Sequence, residues 1–220
     1  MLQRELEPEL MDTPEEARDY DQMDHSEVNR RFVDDLLAVL GDVSAVTSVV
    51  DLGTGTSLIP IELCQRNEQF RVTAIDAAEH MLHAAQRNVE SAGLGGAIEL
   101  VMSDAKGVHA GQYDVVMSNS LAHHLPSPEV MFDRAIELLR PGGLFFVRDL
   151  FRPQHEDQWQ HLVDTYAGNE AEHARKMFAD SLRAALTVEE VRAMVNDRGF
   201  ATDTVQATSD RHWTWVARSA

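Results

Sequence analysis

Three carboxylates and a glycine-rich turn are the residues of this sequence whose types and spacing point to chemistry. Val49-Val50-Asp51-Leu52-Gly53-Thr54-Gly55-Thr56-Ser57 reads as an apolar strand entering a turn of small residues and then a helix. Glycines in such a turn let a ligand approach the backbone, and the helix that follows offers free N–H groups. Asp76 ends the next apolar run, Phe70 to Asp76, and Asp104 follows the run Ile98 to Met102. A carboxylate at Asp76 can accept both hydrogen bonds of a ribose diol, and Asp104 can accept from an adenine amino group. Asp51 can orient the turn or meet an ammonium through water. Each acid alone reads equally well as a strand-end turn residue or a helix cap. All three at successive strand ends are hard to explain that way, because ligands bind at the carboxyl ends of parallel strands. A dinucleotide fingerprint needs a glycine five positions after Gly53, and that position is Leu58.

A second set of polar residues follows the fourth and fifth apolar runs. His123 and His124 come after Tyr113 to Ser118, where a histidine can act as a general base near neutral pH or simply pack. Arg148 interrupts the apolar Leu144-Phe145-Phe146-Val147, with Asp149 beside it and Arg152 close after. A charge there needs a ligand or an internal partner, for which Asp149 and Asp210 are the candidates. Arg148, Arg152 and Arg211 together favour a small anionic molecule, since guanidinium pairs with carboxylate in bidentate fashion. His123, His124, Asp149 and His212 match no zinc spacing, so no metal is expected.

The elements that must position these groups alternate. Residues 1–45 read as an acidic helical cap. Thr13-Pro14-Glu15-Glu16 is a helix start with a capping box, and Val28, Phe32, Leu36 and Leu40 form one apolar face ended by Gly41. From residue 46 onward strands and helices alternate, with strands near 47–52, 70–76, 98–102, 113–118 and 144–149. That alternation predicts a parallel sheet covered by helices on both faces. Residues 152–186 read as a polar helical lid inserted after strand five. A second capping box at Thr187-Val188-Glu189-Glu190 opens a helix ending at Gly199, and two strands, near 201–208 and 212–218, close the chain.

Taken together these segments resemble the class I S-adenosylmethionine (SAM)-dependent methyltransferases. Asp51-Leu52-Gly53-Thr54-Gly55 is similar to their first motif, Ile75-Asp76-Ala77-Ala78-Glu79-His80-Met81-Leu82 to their second, and Ser103-Asp104-Ala105 to the adenine site. Tyr113 to Asn119 with Leu121 to Leu125 resembles the fourth motif, and Leu139-Arg140-Pro141-Gly142-Gly143 the turn before strand five. The resemblance implies a Rossmann-like doubly wound sheet of seven strands, the last antiparallel, with SAM across strands one, two and four. It implies that Gly53, Thr54 and Gly55 flank the methionine part with Asp51. Asp76 would hold the ribose, Ala77 and Met81 touch the adenine, and Asp104 and Ala105 meet its edge. Asn119 would face the methyl group. The Tyr20 to His25 segment would fold over the cofactor, with Tyr20 reaching its carboxylate and His25 the acceptor. His123, Arg148 and Asp149 are the remaining catalytic candidates.

Composition sets the class of partner. The 220 residues carry 19 Lys and Arg against 37 Asp and Glu, a formal charge of −18. Without a basic cluster such a surface repels a phosphate backbone, so nucleic acid is not an expected substrate. No apolar run is long enough to span a bilayer, and the one cysteine, Cys64, fits a reducing cytoplasm. The expected function is methyl transfer in line from SAM to a small polar, possibly anionic metabolite. The alternatives keep SAM: carboxylation, decarboxylation or cleavage of the cofactor on the same fold, or a SAM-binding regulator without turnover.

Overall fold

A computed structural model describes residues 2–7, 12–104 and 112–219. Among them the chain builds a seven-stranded sheet of order β3-β2-β1-β4-β5-β7-β6. Its strands are β1 (Thr47–Leu52), β2 (Phe70–Asp76), β3 (Ile98–Met102), β4 (Tyr113–Asn119), β5 (Leu139–Leu150), β6 (Val205–Ala207) and β7 (His212–Arg218). β1 to β5 pair in parallel, and β7 runs antiparallel to both β5 and β6. The expected Rossmann-like arrangement with an antiparallel last strand is therefore the observed one.

The helices are α1 (Pro14–Gln22), α2 (Ser26–Leu40), α3 (Leu58–Arg66), α4 (Glu79–Ser91), α5 (Pro128–Leu138), α6 (Glu156–Ala167), α7 (Glu172–Ala184) and α8 (Val188–Asp197). Both capping boxes form: Thr13 and Thr187 each accept from the backbone three residues on, and Glu16 and Glu190 reach back. Two buried layers flank the sheet. One gathers Phe132, Val191, Trp213 and Trp215 around Phe145. The other gathers Phe32, Leu36, Leu63 and Phe146. α2 is thus built into the core through its apolar face. α6 and α7 pack a smaller cluster of their own, with Leu162, Val163 and Leu182 against Leu150.

Two boundaries differ from the sequence reading. β5 starts at Leu139 and takes in the Arg140–Gly143 turn, with its register slipping between Leu139 and Leu144 opposite Tyr113 and Val115. The turn is drawn into the sheet because Gly142 N–H and Gly143 C=O bond to Ser219 at the end of β7. β6 keeps only three residues, since Thr202–Thr204 winds into a 3-10 turn.

Arg148 is where the sequence reading needs correcting. Side chains alternate across a strand, so Arg148 shares the Phe146 face and points at α2. Its guanidinium donates to Asp35 Oδ2 at 2.7 Å and to Thr214 Oγ1 at 2.9 Å, and lies 5.7 and 5.5 Å from the ring centres of Phe32 and Phe146. The partner is therefore neither Asp149 nor Asp210, and the charge is spent inside the fold. Arg152 is likewise internal, bonded to Glu190, Ala185 C=O and Leu2 C=O. Replacing Arg148 by Met removes two hydrogen bonds of the kind worth roughly 1.5–3 kcal/mol each to a charged group. Asp35 keeps a route to water, so the loss should stay below the ~3–5 kcal/mol of a broken, fully buried pair. Thermal melts of Arg148→Met are expected to show a Tm several degrees lower, with SAM affinity unchanged.

Candidate active site

A cavity of roughly 600 Å³ opens over the carboxyl ends of β1, β2 and β4, within the size range of ligand sites. Parallel strands β1 and β4 are adjacent in the sheet although β2 and β3 intervene in the chain, so the crevice lies where the winding reverses. At one end it is walled by Gly53, Gly55, Asp76, Ala77 and Met81, with Asp104 and Asn119 beside them and Tyr20 above. Asp51 and Thr54 line a small recess that shares Gly53, Asn119 and Tyr20 with this end. Ala105 lies outside the described residues.

Backbone geometry explains the glycines. Gly53 has φ +73°, and a Cβ there would come within 2.8 Å of the Leu121 side chain. Gly55 has φ +54°, and its Cβ would fill the space beneath the Tyr20 ring, 3.6 Å away. Asp76 ties the turn down: its carboxylate accepts from Gly55 N–H at 2.8 Å and Ala78 N–H at 2.9 Å. Burial raises its pKa against these two bonds. Burial also pushes Asp51 up to about 7, with the Thr54 hydrogen bond opposing and Asp76 adding repulsion. Tyr20 is pushed up to about 12 by burial and by Asp76 and Asp51, which keeps its hydroxyl a donor. Its ring lies 4.6 Å from that of His25, whose Nε2 sits 3.0 Å from Tyr20 C=O. His25 lines the cavity as the residue before α2.

The other end is walled by His123, His124, Leu125, Met177, Phe178 and Ser181, with Arg211 and His212 at its side. Asp149, one of the catalytic candidates, does not line the cavity. It sits behind His123, 1% exposed, with Oδ1 2.5 Å from His123 Nδ1 and Oδ2 accepting from His123 N–H. Burial alone would lower the His123 pKa, but the Asp149 carboxylate and then Glu7 outweigh it, and the net direction is up. His212 is pushed down to about 4 by burial and by the nearby Arg211 charge, so it is a neutral imidazole. Of the three arginines expected at an anionic acceptor, only Arg211 touches the cavity, its guanidinium packed on the Tyr166 ring and paired with Asp210. Asn29, Met177, Phe178, Ser181 and Glu7 were missed, because helix faces and a distant terminal segment carry no local signal of what they will face.

Comparison with known proteins decides what this geometry belongs to. A methyltransferase-domain family profile matches residues 49–143. Ribosomal protein L11 methyltransferase of Staphylococcus saprophyticus is 29% identical over 58% of this chain and 39% of its own length. Ubiquinone biosynthesis O-methyltransferase of Azoarcus sp. is 30% identical over 47% of this chain and 44% of its own. The chain thus spans less than half the length of these relatives. In structure, a SAM-dependent methyltransferase of Methanococcus maripaludis superposes with a TM-score of 0.72 at 16% identity, covering 94% of each chain. Residues 49–143 thus match a methyltransferase domain, and the fold is that of SAM-dependent methyltransferases. SAM is the cofactor of such proteins, and the residues fit it. Gly53 and Gly55 hold the wall of the cavity in a positive-φ turn that favours glycine, Asp76 faces the cavity with an acidic group, and the Asp51 recess suits a cation.

Two outcomes test the placement of the cofactor. Asp76→Ala removes the carboxylate at the end of β2, and hydrogen bonds to a charged group are worth roughly 1.5–3 kcal/mol. Calorimetry should show SAM affinity falling about 10–100-fold; unchanged binding to a folded mutant would place the ribose elsewhere. Asp51 gives a pH signature. Its raised pKa makes it a largely neutral acid at pH 6, and stability it lends at low pH is lost as pH climbs from 3.8 toward 7. A cationic ammonium bound in its recess would draw it to the carboxylate. SAM binding at pH 6 should then release a proton, seen as a buffer-dependent heat. The release should vanish at pH 8.5 and in Asp51→Asn.

Proposed function

We propose that the protein transfers the methyl group of SAM to a small polar molecule held at the His123 end of the cavity. The observation that carries this reading is the division of one cavity into two chemically distinct ends. Glycines, Asp76 and the Asp51 recess stand at one end, and an imidazole with its Nδ1 fixed by a buried carboxylate stands at the other.

SAM brings an activated methyl group, so the protein's work is alignment and, for a hydroxyl or amine acceptor, removal of a proton. Asp149 holds His123 Nδ1 and Glu7 Oε1 lies 3.3 Å from its Nε2, so His123 and Glu7 together form the basic group through which the acceptor's proton leaves. The mixed walls, apolar at Leu125, Met177 and Phe178 and cationic at Arg211, suit a small molecule with an apolar body and an anionic or polar tip. The net charge of −18 weighs against a nucleic-acid acceptor. No helix among the described residues is long and apolar enough to cross a membrane. The single, buried Cys64 suits a reducing cytoplasm.

The test is SAM turnover with a pool of small polar metabolites. S-adenosylhomocysteine is the expected product; SAM consumed without it would move the protein to another SAM chemistry, and no consumption with any pool would leave a binding protein. His123→Gln should lower turnover by about 10²–10⁴-fold, the usual worth of a positioned base. Its SAM affinity should stay within about twofold, because His123 is not among the residues expected to hold the cofactor. Full turnover in a folded His123→Gln protein would remove the imidazole from the chemistry.

A further inference from the structure

The N-terminal segment crosses the molecule and delivers a carboxylate to the histidine pair. Leu2 N–H bonds to Gln154 C=O and Glu5 N–H to Arg183 C=O, while the Arg4 guanidinium donates to the carbonyls of Ala184, Leu125 and His123. This anchoring brings Glu7 Oε1 to 3.3 Å from His123 Nε2 and 3.1 Å from His124 Nδ1. Ser181 Oγ donates to the Glu7 carboxylate at 3.2 Å. The three ligand atoms lie within 4.8 Å of one another, and no other such trio of histidine and carboxylate groups forms among the described residues.

The arrangement gathers ligand-type atoms on one point: with Nδ1 held by Asp149, His123 turns Nε2 toward the Glu7 carboxylate oxygen, which also meets His124 Nδ1. The buried Asp149 and the half-buried Glu7 flank two imidazoles, an arrangement that favours a positive charge at their meeting point, either a proton on His123 or a bound cation. We infer that Glu7, His123 and His124 form a binding site for one divalent transition-metal ion at the acceptor end of the cavity. Two imidazoles and one carboxylate are a donor set such ions accept, with further positions left open. Bonds of about 2.0–2.1 Å in a tetrahedron put neighbouring ligand atoms about 3.3 Å apart, close to the two separations from Glu7, 3.1 and 3.3 Å, with all three atoms within 4.8 Å. Asp149 then serves as the outer carboxylate that fixes the tautomer and raises the basicity of a metal-binding histidine. His123 and His124 line the cavity, so the open positions face the acceptor.

This inference rests on the acceptor lying at the His123 end and narrows its class to molecules with an ionisable oxygen. A hydroxyl coordinated to the ion gives its proton to water, as coordination lowers its pKa. The oxygen lone pair then forms the C–O bond while the C–S bond breaks and its electron pair returns to sulfur. In the loaded protein His123 and Glu7 are ligands, and the proton loss assigned to them in the metal-free form passes to coordination.

The experiment uses the full chain, stripped with chelator and titrated with Co²⁺, whose visible absorption reports nitrogen and oxygen ligation without any turnover. One Co²⁺ per chain is expected, with Glu7→Gln and His124→Ala each weakening it by at least the ~10–100-fold that an outer hydrogen-bond partner is worth. His80→Ala/His83→Ala, on α4, should bind as the parent does. No stoichiometric binding, or equal binding by the parent and both ligand variants, overturns the site. Melts on each variant separate lost ligation from lost folding. SAM titration and S-adenosylhomocysteine production on the same preparations keep the two readings apart. Methylation without Co²⁺ binding removes only the ion, whereas Co²⁺ binding without SAM consumption removes the methyltransferase reading.

Discussion

The parallel strands β1, β2 and β4 release their chains at one edge of the sheet, and every feature of the site follows from that constraint. A strand buried on both faces can place polar groups only where it ends, so Asp76 and Asn119 gather there while Val50, Ile75 and Val116 stay in the core. The reversal of winding between β1 and β4 then leaves a crevice that no crossover helix covers. The turn after β1 answers both demands at once. Its glycines admit Leu121 and the Tyr20 ring on either side, while Asp76 bonds it to the second strand.

The polar groups behind this edge are not interchangeable. Arg148 and Asp149 are neighbours in the chain yet serve opposite faces of β5, because a strand turns successive side chains apart. Arg148 ties the sheet to α2 through Asp35, and Asp149 fixes His123 on the far side. Each charge is met by a partner from a distant segment, which is what a buried charge demands. The His123 end of the cavity therefore inherits a fixed imidazole from the same strand that fastens α2 to the core.

The pattern that was legible in the sequence was local. Apolar runs, capping boxes at Thr13 and Thr187, and the Gly53 turn all act over a few residues, and the sheet order follows once alternation is recognised. Asp76 could be placed because strand ends in a parallel sheet share one edge. The pairing of Arg148 with Asp35, 113 residues away, could not, since nothing in periodicity says which helix will lie on which strand face. The same holds for Glu7, which reaches histidines more than a hundred residues distant only because Arg4 and Leu2 find carbonyls on the lid helices and the loop after β4. Reading Arg148, Arg152 and Arg211 as one anionic subsite failed for this reason: two of the three are absorbed by long-range partners.

The division between what relatives share and what is particular to this chain runs through the cavity itself. The family match, residues 49–143, contains the glycine turn, Asp76, Met81, Asn119 and both histidines of the loop after β4. The walls that would recognise an acceptor come from outside it: Met177, Phe178 and Ser181 on α7, Arg211 and His212 at β7, and His25 and Asn29 at α2. A shared sheet edge suits a likeness to proteins named for a ribosomal protein and for ubiquinone biosynthesis, each matching roughly half of this chain. On the proposed reading, specificity would come from the helices and terminal segments laid over the sheet, which wall the cavity beside Arg211 and the paired histidines.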